Sequence, residues 1–414
     1  MKISKEIENH YQQLLGIDSP WEVKKIDLNI EEGKIDIQVV WPSGEKVTCP
    51  VCGNECGIYD YRSERTWRHL DIMQFATYLR CRVPRSDCKE HGAKSVKTPW
   101  SEPGHRFTLL FERFAIDVLL ASKTIKGAKK LLGISWDEMH LIQKHVVRRG
   151  LESRKLEEIK YLGIDEKSFL KGHNYASILL DIHNPRVLDV AQGRTKESTD
   201  SLFATIPKNN RKSVKAVAVD MWEPYKSSIE KYLPNADIVH DKFHIIGYLT
   251  KAVDSVRKQE NKLLRKEGHD YLVGTKYFWL TNKKNWGEKH KQIYQLIKNM
   301  NLKTGRAWSI KETFLSFWDY IYPASGKKFF QSWYYWATHS RLKPIIKAAK
   351  TLKRHIENIL TYFKHRITNS VAEGFNSKIQ NIKTNARGYR NFENYRIAIL
   401  FFCGKLDLYP QKTL

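Results

Sequence analysis

Three acidic residues have the surroundings that metal-dependent phosphodiester chemistry requires. Asp165 lies within the apolar, strand-like segment GID, and Asp220 ends the apolar run VKAVAVD. Burying a carboxylate is costly unless it is paired or binds a metal, so these two acids favour a divalent-cation site. Glu373, far downstream, is the candidate third ligand. The simpler alternative is that the two aspartates cap turns and that Glu373 only neutralises local charge.

The surroundings of Glu373 are strongly basic. Residues 343–390 contain eleven Lys or Arg and only two acids, of which Glu373 is one. At helical spacing Asn369, Glu373 and Asn376 share one face, and the same segment continues through Lys378 to Lys383. We therefore expect a metal ligand flanked by side chains that contact phosphate or bases.

Five of the six cysteines lie near the N-terminus, and the C-P-x-C-G sequence of Cys49 and Cys52 is a typical zinc knuckle. Cys81 and Cys88 are the predicted second pair of a structural zinc site. Their spacing is unusual, so either Cys56 or His91 could replace Cys88. The remaining cysteine, Cys403, stands in the apolar run ILFFCGKL and is predicted to be a buried structural thiol.

The elements that must position the catalytic acids follow from hydrophobic periodicity. YLGIDEKSF, YASILLDIHN and RVLDVAQG predict an antiparallel meander, and a helix, the strand VKAVAVD, a second helix and the strand of ADIVHDKFHI follow. This order is that of a ribonuclease H-like core, in which the first and fourth strands are neighbours. Asp165 and Asp220 would then point at one spot.

Two further segments precede that core. WEVKKIDLNI and KIDIQVVW alternate apolar and polar residues around EEG and predict a hairpin. Residues 107–150 predict a helix-turn-helix, in which Gly133 lies in the turn, Ser135 caps the second helix and Glu138 completes a capping box. Next to a zinc ribbon, this motif favours DNA binding, although any helical hairpin with a glycine turn resembles it.

Asp220 and Glu373 are 153 residues apart, which predicts a large insertion over residues 257–364 with helical patterns throughout. This segment is rich in Trp, Phe and Tyr, most of which are expected to form its core. Some rings could instead stack on unpaired bases, and Trp222, two residues after Asp220, is the best single candidate for that contact.

Composition limits the class of function. The 414-residue chain has 71 Lys and Arg against 45 Asp and Glu, a net charge of +26, and its apolar content is sufficient for packed domains. Such a charge favours a nucleic-acid partner. No membrane-length apolar segment or signal peptide is evident, so we expect a soluble intracellular protein.

The chain resembles the DDE transposases of bacterial insertion sequences, and most closely the ISL3 family. The resemblance covers nearly the whole length and rests on the C-P-x-C-G ribbon, the helix-turn-helix, GIDEKSF, VAVDMWEPY, HDKFH, and the run NSVAEGFNSKIQ into RGYRNFENYR. It implies a catalytic triad of Asp165, Asp220 and Glu373. It also matches Asp241 and His244 to a D-x-x-H element with a supporting role.

The resemblance implies two Mg²⁺ or Mn²⁺ ions per active site, which cleave phosphodiesters at the element's ends and join the 3′-hydroxyl to target DNA. The expected partners are the terminal inverted repeats and target DNA, and a homodimer would be needed to handle paired ends. Two alternatives remain open, a DNA-binding regulator and a ribonuclease H-like nuclease without strand transfer.

The predicted fold is thus multidomain α+β, with a zinc ribbon, a helix-turn-helix and a ribonuclease H-like core interrupted by an all-helical insertion. The predicted domains, in chain order, are residues 1–104 for hairpin and ribbon, 105–156 for the helix-turn-helix, 157–256 for the first part of the core, 257–364 for the insertion, and 365–414 for the last part of the core and the tail.

Overall fold

A computed structural model describes residues 2–156, 158–170, 172 and 174–410, with side chains from residue 5 onward. The chain divides into two compact units, residues 1–154 with 406–414, and residues 155–405. Among the described residues, no helix combines the length and apolar character needed to cross a bilayer.

The first unit contains two four-stranded sheets. Its helices and strands are α1 Lys2–Leu14, β1 Glu22–Asn29, β2 Lys34–Val40, β3 Val47–Thr48, β4 Glu55–Tyr61, β5 Arg65–Arg68, β6 Ala76–Cys81, β7 Pro84–Cys88, β8 Gly92–Ser95, α2 Leu109–Ser122, α3 Ile125–Leu132 and α4 Trp136–Ser153. The sheet orders are β1-β2-β6-β5 and β3-β4-β7-β8. The predicted hairpin is confirmed as β1 and β2, which are antiparallel.

The predicted cap of the second helix of the helix-turn-helix is also confirmed. The Ser135 hydroxyl accepts from the Glu138 amide, and the Glu138 carboxylate accepts from the Ser135 amide at 2.8 Å. Gly133 ends α3 with φ +63°, a left-handed conformation that glycine adopts without strain. Ala128 and Leu132 bury the inner face of α3. These local interactions fix the turn between α3 and α4.

The end of the chain packs on this first unit. The Tyr409 hydroxyl donates to Asp117 at 2.6 Å, the Arg149 guanidinium donates to the carbonyl of Leu408, and Leu406 fills the space above Gly150. The tail was predicted to belong to the core domain, and this assignment is wrong because these contacts tie residues 406–410 to α2 and α4. Residues 411–414 of that predicted domain lie outside the described residues.

The second unit is built on a five-stranded sheet of order β11-β10-β9-β12-β13. Its strands are β9 Tyr161–Leu170, β10 Asn174–Asp181, β11 Arg186–Gln192, β12 Ala216–Val219 and β13 Asp237–His240. The first three strands are antiparallel, and β12 runs parallel to both β9 and β13. The predicted adjacency of the first and fourth strands is therefore confirmed.

Helices cover this sheet and continue beyond it. They are α5 Lys196–Ala204, α6 Lys208–Arg211, α7 Glu223–Tyr232, α8 Lys242–Lys266, α9 Lys276–Leu280, α10 Glu288–Ile297, α11 Lys303–Leu315, α12 Pro323–Thr338, α13 Lys343–Arg354, α14 Ile356–Leu360, α15 Tyr362–His365, α16 Ser370–Asn385 and α17 Phe392–Cys403, with single 3-10 turns at Lys283–Asn285 and Ser316–Asp319. Cys403 is buried, as predicted.

Two hydrophobic cores stabilise the second unit. Leu162, Ile164 and Val217 on the sheet pack with residues of α5 and α7, whereas Ala216, Ala218 and the first half of α8 pack with helices α9 to α15. Because α8 runs without a break through residue 257, the predicted boundary between core and insertion falls inside one helix. The predicted start of the core, residue 157, lies outside the described residues.

Candidate active site and zinc cluster

Three aspartates occupy equivalent positions on adjacent parallel strands. Gly163 pairs with Ala218, and Val219 pairs with His240. Extending this register places Asp165 opposite Asp220, and Asp220 opposite Asp241. Neighbouring strands are about 4.8 Å apart, so the three carboxylates form a row at the carboxyl edge of the sheet. We call Asp165, Asp220 and Asp241 the carboxylate row.

Asp165 is held by two hydrogen bonds. Its Oδ1 accepts from the amide of Glu166 at 2.8 Å, and its Oδ2 accepts from Nδ2 of Asn376 at 2.6 Å. Burial raises the pKa of this carboxyl, and the hydrogen bonds and the positive charge of His244 only partly oppose the effect. A buried carboxylate of this kind gains stability from a nearby cation.

The imidazole of His244 faces all three members of the row. Its Nδ1 lies 3.2 Å from Oδ2 of Asp241. This hydrogen bond, together with the charges of Asp220, Asp241 and Asp165, raises the pKa of His244 to about 9 although burial opposes it. The ring is therefore an imidazolium at neutral pH. Asp241 itself is 2% exposed and also accepts from the amide of Asn369 at 3.3 Å.

Helix α16 brings two of the predicted supporting residues to the row. Asn369, at its N-terminal end, donates to the carbonyl of Ile164 at 3.1 Å, and Asn376, two turns later, holds Asp165. Gly163 permits this close approach, because a Cβ there would lie 2.8 Å from Oδ1 of Asn369. That Oδ1 is buried and has no hydrogen-bond partner among the described residues.

Glu373 lies on α16 between the two asparagines, but its side chain is exposed. Within the described ranges, no hydrogen bond or ion pair joins its carboxylate to Asp165 or Asp220, and the three predicted catalytic acids are not gathered within 4.8 Å of one another. The structure thus brings Asp165 and Asp220 together, and it places Glu373 on the helix that contacts them.

The other predicted supporting residues have different environments. Lys383 donates from Nζ to the carbonyl of Ser168 at 2.9 Å, which ties α16 to β9. Lys378 is exposed, and its ammonium lies over the Phe375 ring. Lys383 therefore has a structural contact, whereas Lys378 is available to solvent.

Trp222 lies at the edge of the site with 41% of its surface exposed. Its indole N–H donates to the carbonyl of Arg194 at 3.3 Å, and the Arg194 guanidinium lies 5.3 Å from the indole and 4.7 Å from the Tyr175 ring. One face of the indole is thus held by a cation, which keeps the ring in a fixed orientation.

Two polar residues of the site were not identified from the sequence. Burial raises the pKa of the Glu166 carboxyl, and the charges of Asp165 and Asp220 add to the effect although the hydroxyl of Tyr225 donates to it. Tyr225 is completely buried. The only local signal was the acidic pair Asp165-Glu166, which does not by itself indicate that both acids are enclosed.

A second cluster lies in the first unit, where one ligand atom each of Cys49, Cys52, Cys88 and His91 lies within 4.8 Å of the others. The Sγ atoms of Cys52 and Cys88 are 3.7 Å apart, and Nδ1 of His91 is 3.6 Å from Sγ of Cys88. A tetrahedral zinc ion with Zn–S bonds of about 2.3 Å has ligand separations of about 3.8 Å, so the cluster fits zinc. Amides of Cys52 and Val51 lower the pKa of the Cys49 thiol to about 6, which favours the thiolate.

The predicted ligand Cys81 is not part of this cluster. It lies at the end of β6, 1% exposed, in the core of the other sheet, where burial raises the pKa of its thiol to about 12. Cys88 is in the cluster, and His91 takes the place assigned to Cys81. Cys56 also lies outside the ligand set, and its thiol donates to the carbonyl of Val47.

The four clustered residues share a repeated local pattern. Cys49-x-x-Cys52 is followed by Gly53 with φ +79°, and Cys88-x-x-His91 is followed by Gly92 with φ +62°. Each half is a two-residue knuckle closed by a left-handed glycine, and β7 and β8 flank the second. The equal spacing of the two halves was the signal in the sequence.

Three of the six arginines between residues 45 and 91 form ion pairs inside the first unit. Arg80 pairs with Asp36 at 2.7 Å and Glu64 at 3.4 Å, Arg85 pairs with Asp60, and buried Arg68 pairs with Asp71. In α4, Arg149 pairs with Glu102 and Glu112 at 3.0 and 2.6 Å. These side chains stabilise the first unit, and their charges are neutralised before any phosphate approaches.

Comparisons with known proteins agree with these features. The profile of the ISL3 DDE transposase domain, described as "Transposase", matches residues 162–399. A zinc-finger profile of the transposases of IS204, IS1001, IS1096 and IS1165 matches residues 45–91, and the helix-turn-helix domain of transposase family ISL3 matches residues 96–147. A zinc ribbon, a helix-turn-helix and a mixed α/β domain with a carboxylate row therefore define a DNA-binding transposase.

The chain belongs to the ISL3 family of transposases. It is 24% identical to the transposase for insertion sequence element IS1001 of Bordetella parapertussis, over 95% of this chain and 98% of that protein. It is 23% identical to the transposase for insertion sequence element IS1557 of Mycobacterium tuberculosis strain CDC 1551, over 92% of each chain.

Proposed function

We propose that this transposase binds the terminal inverted repeats of its insertion sequence, cleaves phosphodiester bonds at the element's ends and joins the freed 3′-hydroxyl to target DNA. The observation that carries the proposal is the carboxylate row, in which Asp165 within β9 lies in register with Asp220 and Asp241, the residues that directly follow β12 and β13. The strand order, with three antiparallel strands beside two parallel ones, is that expected of a ribonuclease H-like core.

Asp165, Asp220 and Glu373 are the proposed ligands of two Mg²⁺ or Mn²⁺ ions. Carboxylate oxygens suit these hard cations, and Oδ1 of Asn369, buried beside β9 and unpartnered among the described residues, offers a further oxygen donor. When bound, such ions would lower the pKa of a water and stabilise the leaving oxygen. The exposed carboxylate of Glu373 would complete the ligand set from α16.

The remaining residues of the site orient these acids. Asn376 fixes the carboxylate of Asp165 through its 2.6 Å hydrogen bond, and Asp241 holds the His244 ring against the row. As an imidazolium, His244 neutralises part of the row's negative charge, which lowers the repulsion of an incoming phosphate. Asp241 and His244 thus act as positioning residues in the proposal.

The first unit supplies DNA recognition in this proposal. Cys49, Cys52, Cys88 and His91 would hold a structural zinc ion, and α4 would read duplex DNA with its exposed face. Because two element ends must be processed together, we infer a homodimer on paired ends. The activity places the protein in the bacterial cytoplasm, on the nucleoid when DNA is bound.

The proposal is tested with purified full-length protein and DNA that carries the element's terminal repeats. Asp165→Asn, Asp220→Asn and Glu373→Gln should each lower Mg²⁺-dependent cleavage by about a thousandfold, because loss of a metal ligand removes several kcal/mol of transition-state stabilisation. Duplex binding should stay unchanged. Glu357→Gln is the matched control, since Glu357 is the other acid of the basic segment and its carboxylate pairs with exposed Lys327.

Three results would contradict parts of this proposal. Cleavage by Asp220→Asn at the wild-type rate would exclude the triad. Binding of terminal-repeat DNA by the wild-type protein without any cleavage would favour a DNA-binding regulator. Cleavage without insertion of a pre-cleaved end into a plasmid would identify a nuclease that lacks strand transfer.

A further inference from the structure

The helical part of the second unit contains a cavity of about 740 Å³ between α10, α11 and α12. Trp279, Trp308 and Trp336 line it, together with the three cations Lys298, Arg306 and Arg341. Among the described residues that line it, none is acidic. The volume lies within the range of small-ligand sites, about 300–1,000 Å³. We call this cavity the tryptophan pocket.

The three cations of the tryptophan pocket are available to a ligand. Lys298, Arg306 and Arg341 are all exposed, and within the part of the chain that the structure describes none of them makes an ion pair. This contrasts with Arg80 and Arg85 of the ribbon, whose charges are paired with carboxylates. Unneutralised cations around an aromatic cavity favour an anionic ligand with a flat ring.

The indoles of the pocket differ in how far they are available to a ligand. Trp279 and Trp308 are buried at 3% and 8% exposure; their rings pack on one another, and that of Trp308 also packs on Trp286. Trp336 is 42% exposed and offers a ring face for stacking.

A basic surface continues from the pocket along the chain. Two residues after Arg341, helix α13 begins, and its exposed side chains include Lys347, Lys350 and Lys353, with no acid in the helix. A strand whose first unpaired base enters the pocket would find further cations along α13.

We propose that the tryptophan pocket binds an unpaired nucleotide of a DNA strand, with its base stacked on Trp336 and its phosphates on Arg306 and Arg341. Base–aromatic stacking tolerates any base, so this contact would recognise a single-stranded end rather than a sequence. The inference deepens the proposed function, because processing of an element end exposes unpaired nucleotides.

The test compares two duplexes of the same arbitrary sequence, one blunt and one with a 3′ tail of about six thymidines. Binding of full-length protein is measured by fluorescence anisotropy without divalent cations, so that no cleavage occurs. We expect the tailed duplex to bind more tightly to the wild-type protein. Trp336→Ala should weaken binding of the tailed duplex about 5- to 150-fold and leave binding of the blunt duplex unchanged.

Two further variants sharpen the test. The double variant Arg306→Ala/Arg341→Ala should bind the tail with a weaker salt dependence. The slope of the logarithm of the binding constant against the logarithm of the salt concentration should fall by about 0.7 for each phosphate that is no longer neutralised. Tyr322→Ala is the control, since Tyr322 precedes the same helix as Trp336, is 69% exposed and lies outside the pocket.

Equal affinity of the wild-type protein for both duplexes would overturn the inference. So would loss of the tail preference in Trp222→Ala but not in Trp336→Ala, which would place stacking at the carboxylate row. Competition by free dTMP as effective as that of a thymidine oligonucleotide would assign the pocket to a free nucleotide. None of these measurements depends on cleavage. The proposed catalytic triad and the proposed nucleotide pocket can therefore be refuted independently of each other.

Discussion

Replacement of Gly163 by alanine tests how α16 is held against the carboxylate row. The new Cβ would lie 2.8 Å from Oδ1 of Asn369 and 3.3 Å from Cδ1 of Ile182. Both distances are shorter than ordinary contacts, so one neighbour must move. Asn369 cannot rotate freely, because it is 2% exposed and its Nδ2 donates to the carbonyl of Ile164.

The expected cost follows from these contacts. Inserting a methyl group into a tightly packed site costs about 1–3 kcal/mol, and loss of the Asn369 hydrogen bond costs about 1 kcal/mol more. Alanine is intrinsically more stable in a strand than glycine, and this difference offsets about 0.5–1 kcal/mol of the cost. We therefore expect Gly163→Ala to lower the free energy of unfolding by about 1–3 kcal/mol. For a unit of this size, Tm should fall by about 2–12 °C.

The measurement is thermal and urea unfolding of the full-length protein, with cleavage of terminal-repeat DNA as a second readout. Gly247→Ala is the control, because Gly247 lies inside α8 and a methyl group added there would meet no described atom within 4 Å, so this variant should be more stable by about 0.5–1 kcal/mol. In the double variant Gly163→Ala/Asn369→Ala the clash disappears. Its loss of unfolding free energy should therefore be about 1 kcal/mol smaller than the sum of the losses in the two single variants. If the two losses simply add, the reasoning is refuted.

The remaining predictions concern the first unit. His91→Ala should abolish stoichiometric zinc in the purified protein, whereas Cys81→Ala should keep it; elemental analysis that gives the reverse would restore the ligand set predicted from the sequence. Burial lowers the pKa of His69 to about 4, so the folded state binds fewer protons than the unfolded state between pH 6.5 and 4. Unfolding at several pH values should show up to about 3 kcal/mol of stability present above pH 6.5 and lost as the pH falls to 4, and His69→Gln should flatten this dependence. Ser135→Ala removes one half of the capping box with Glu138 and should cost about 1 kcal/mol and weaken duplex binding, while unchanged stability would show that the cap contributes little.

Local patterns in the sequence predicted the parts of the molecule that depend on neighbouring residues. The capping box of Ser135 and Glu138 spans three residues, and the hairpin of β1 and β2 follows from alternation around a short turn. The adjacency of Asp165 and Asp220 was predictable because the order of strand types restricts the sheet topology. The zinc knuckle at Cys49 was predictable for the same local reason.

Long-range packing decided the features that the sequence did not predict. Cys81 is an apolar core residue of β6 because alternation along the strand points it away from the ribbon, and no spacing rule separates that environment from a metal site. The enclosure of Glu166 depends on Tyr225, 59 residues later, and the exposure of Glu373 depends on how α16 packs on β9. The paired state of the ribbon arginines likewise depends on acids from other strands.

The continuity of α8 limits how this protein can be shortened or recombined with relatives. Its first turn carries His244, and Val253 and Val256 are buried in the core shared with the later helices. A 25-residue helix is about 37 Å long, so excision of residues 257–364 would remove the last two-fifths of one rigid element and expose the apolar side of the rest. A chimaera that keeps the catalytic sheet must therefore exchange α8 whole, together with the helices packed against it.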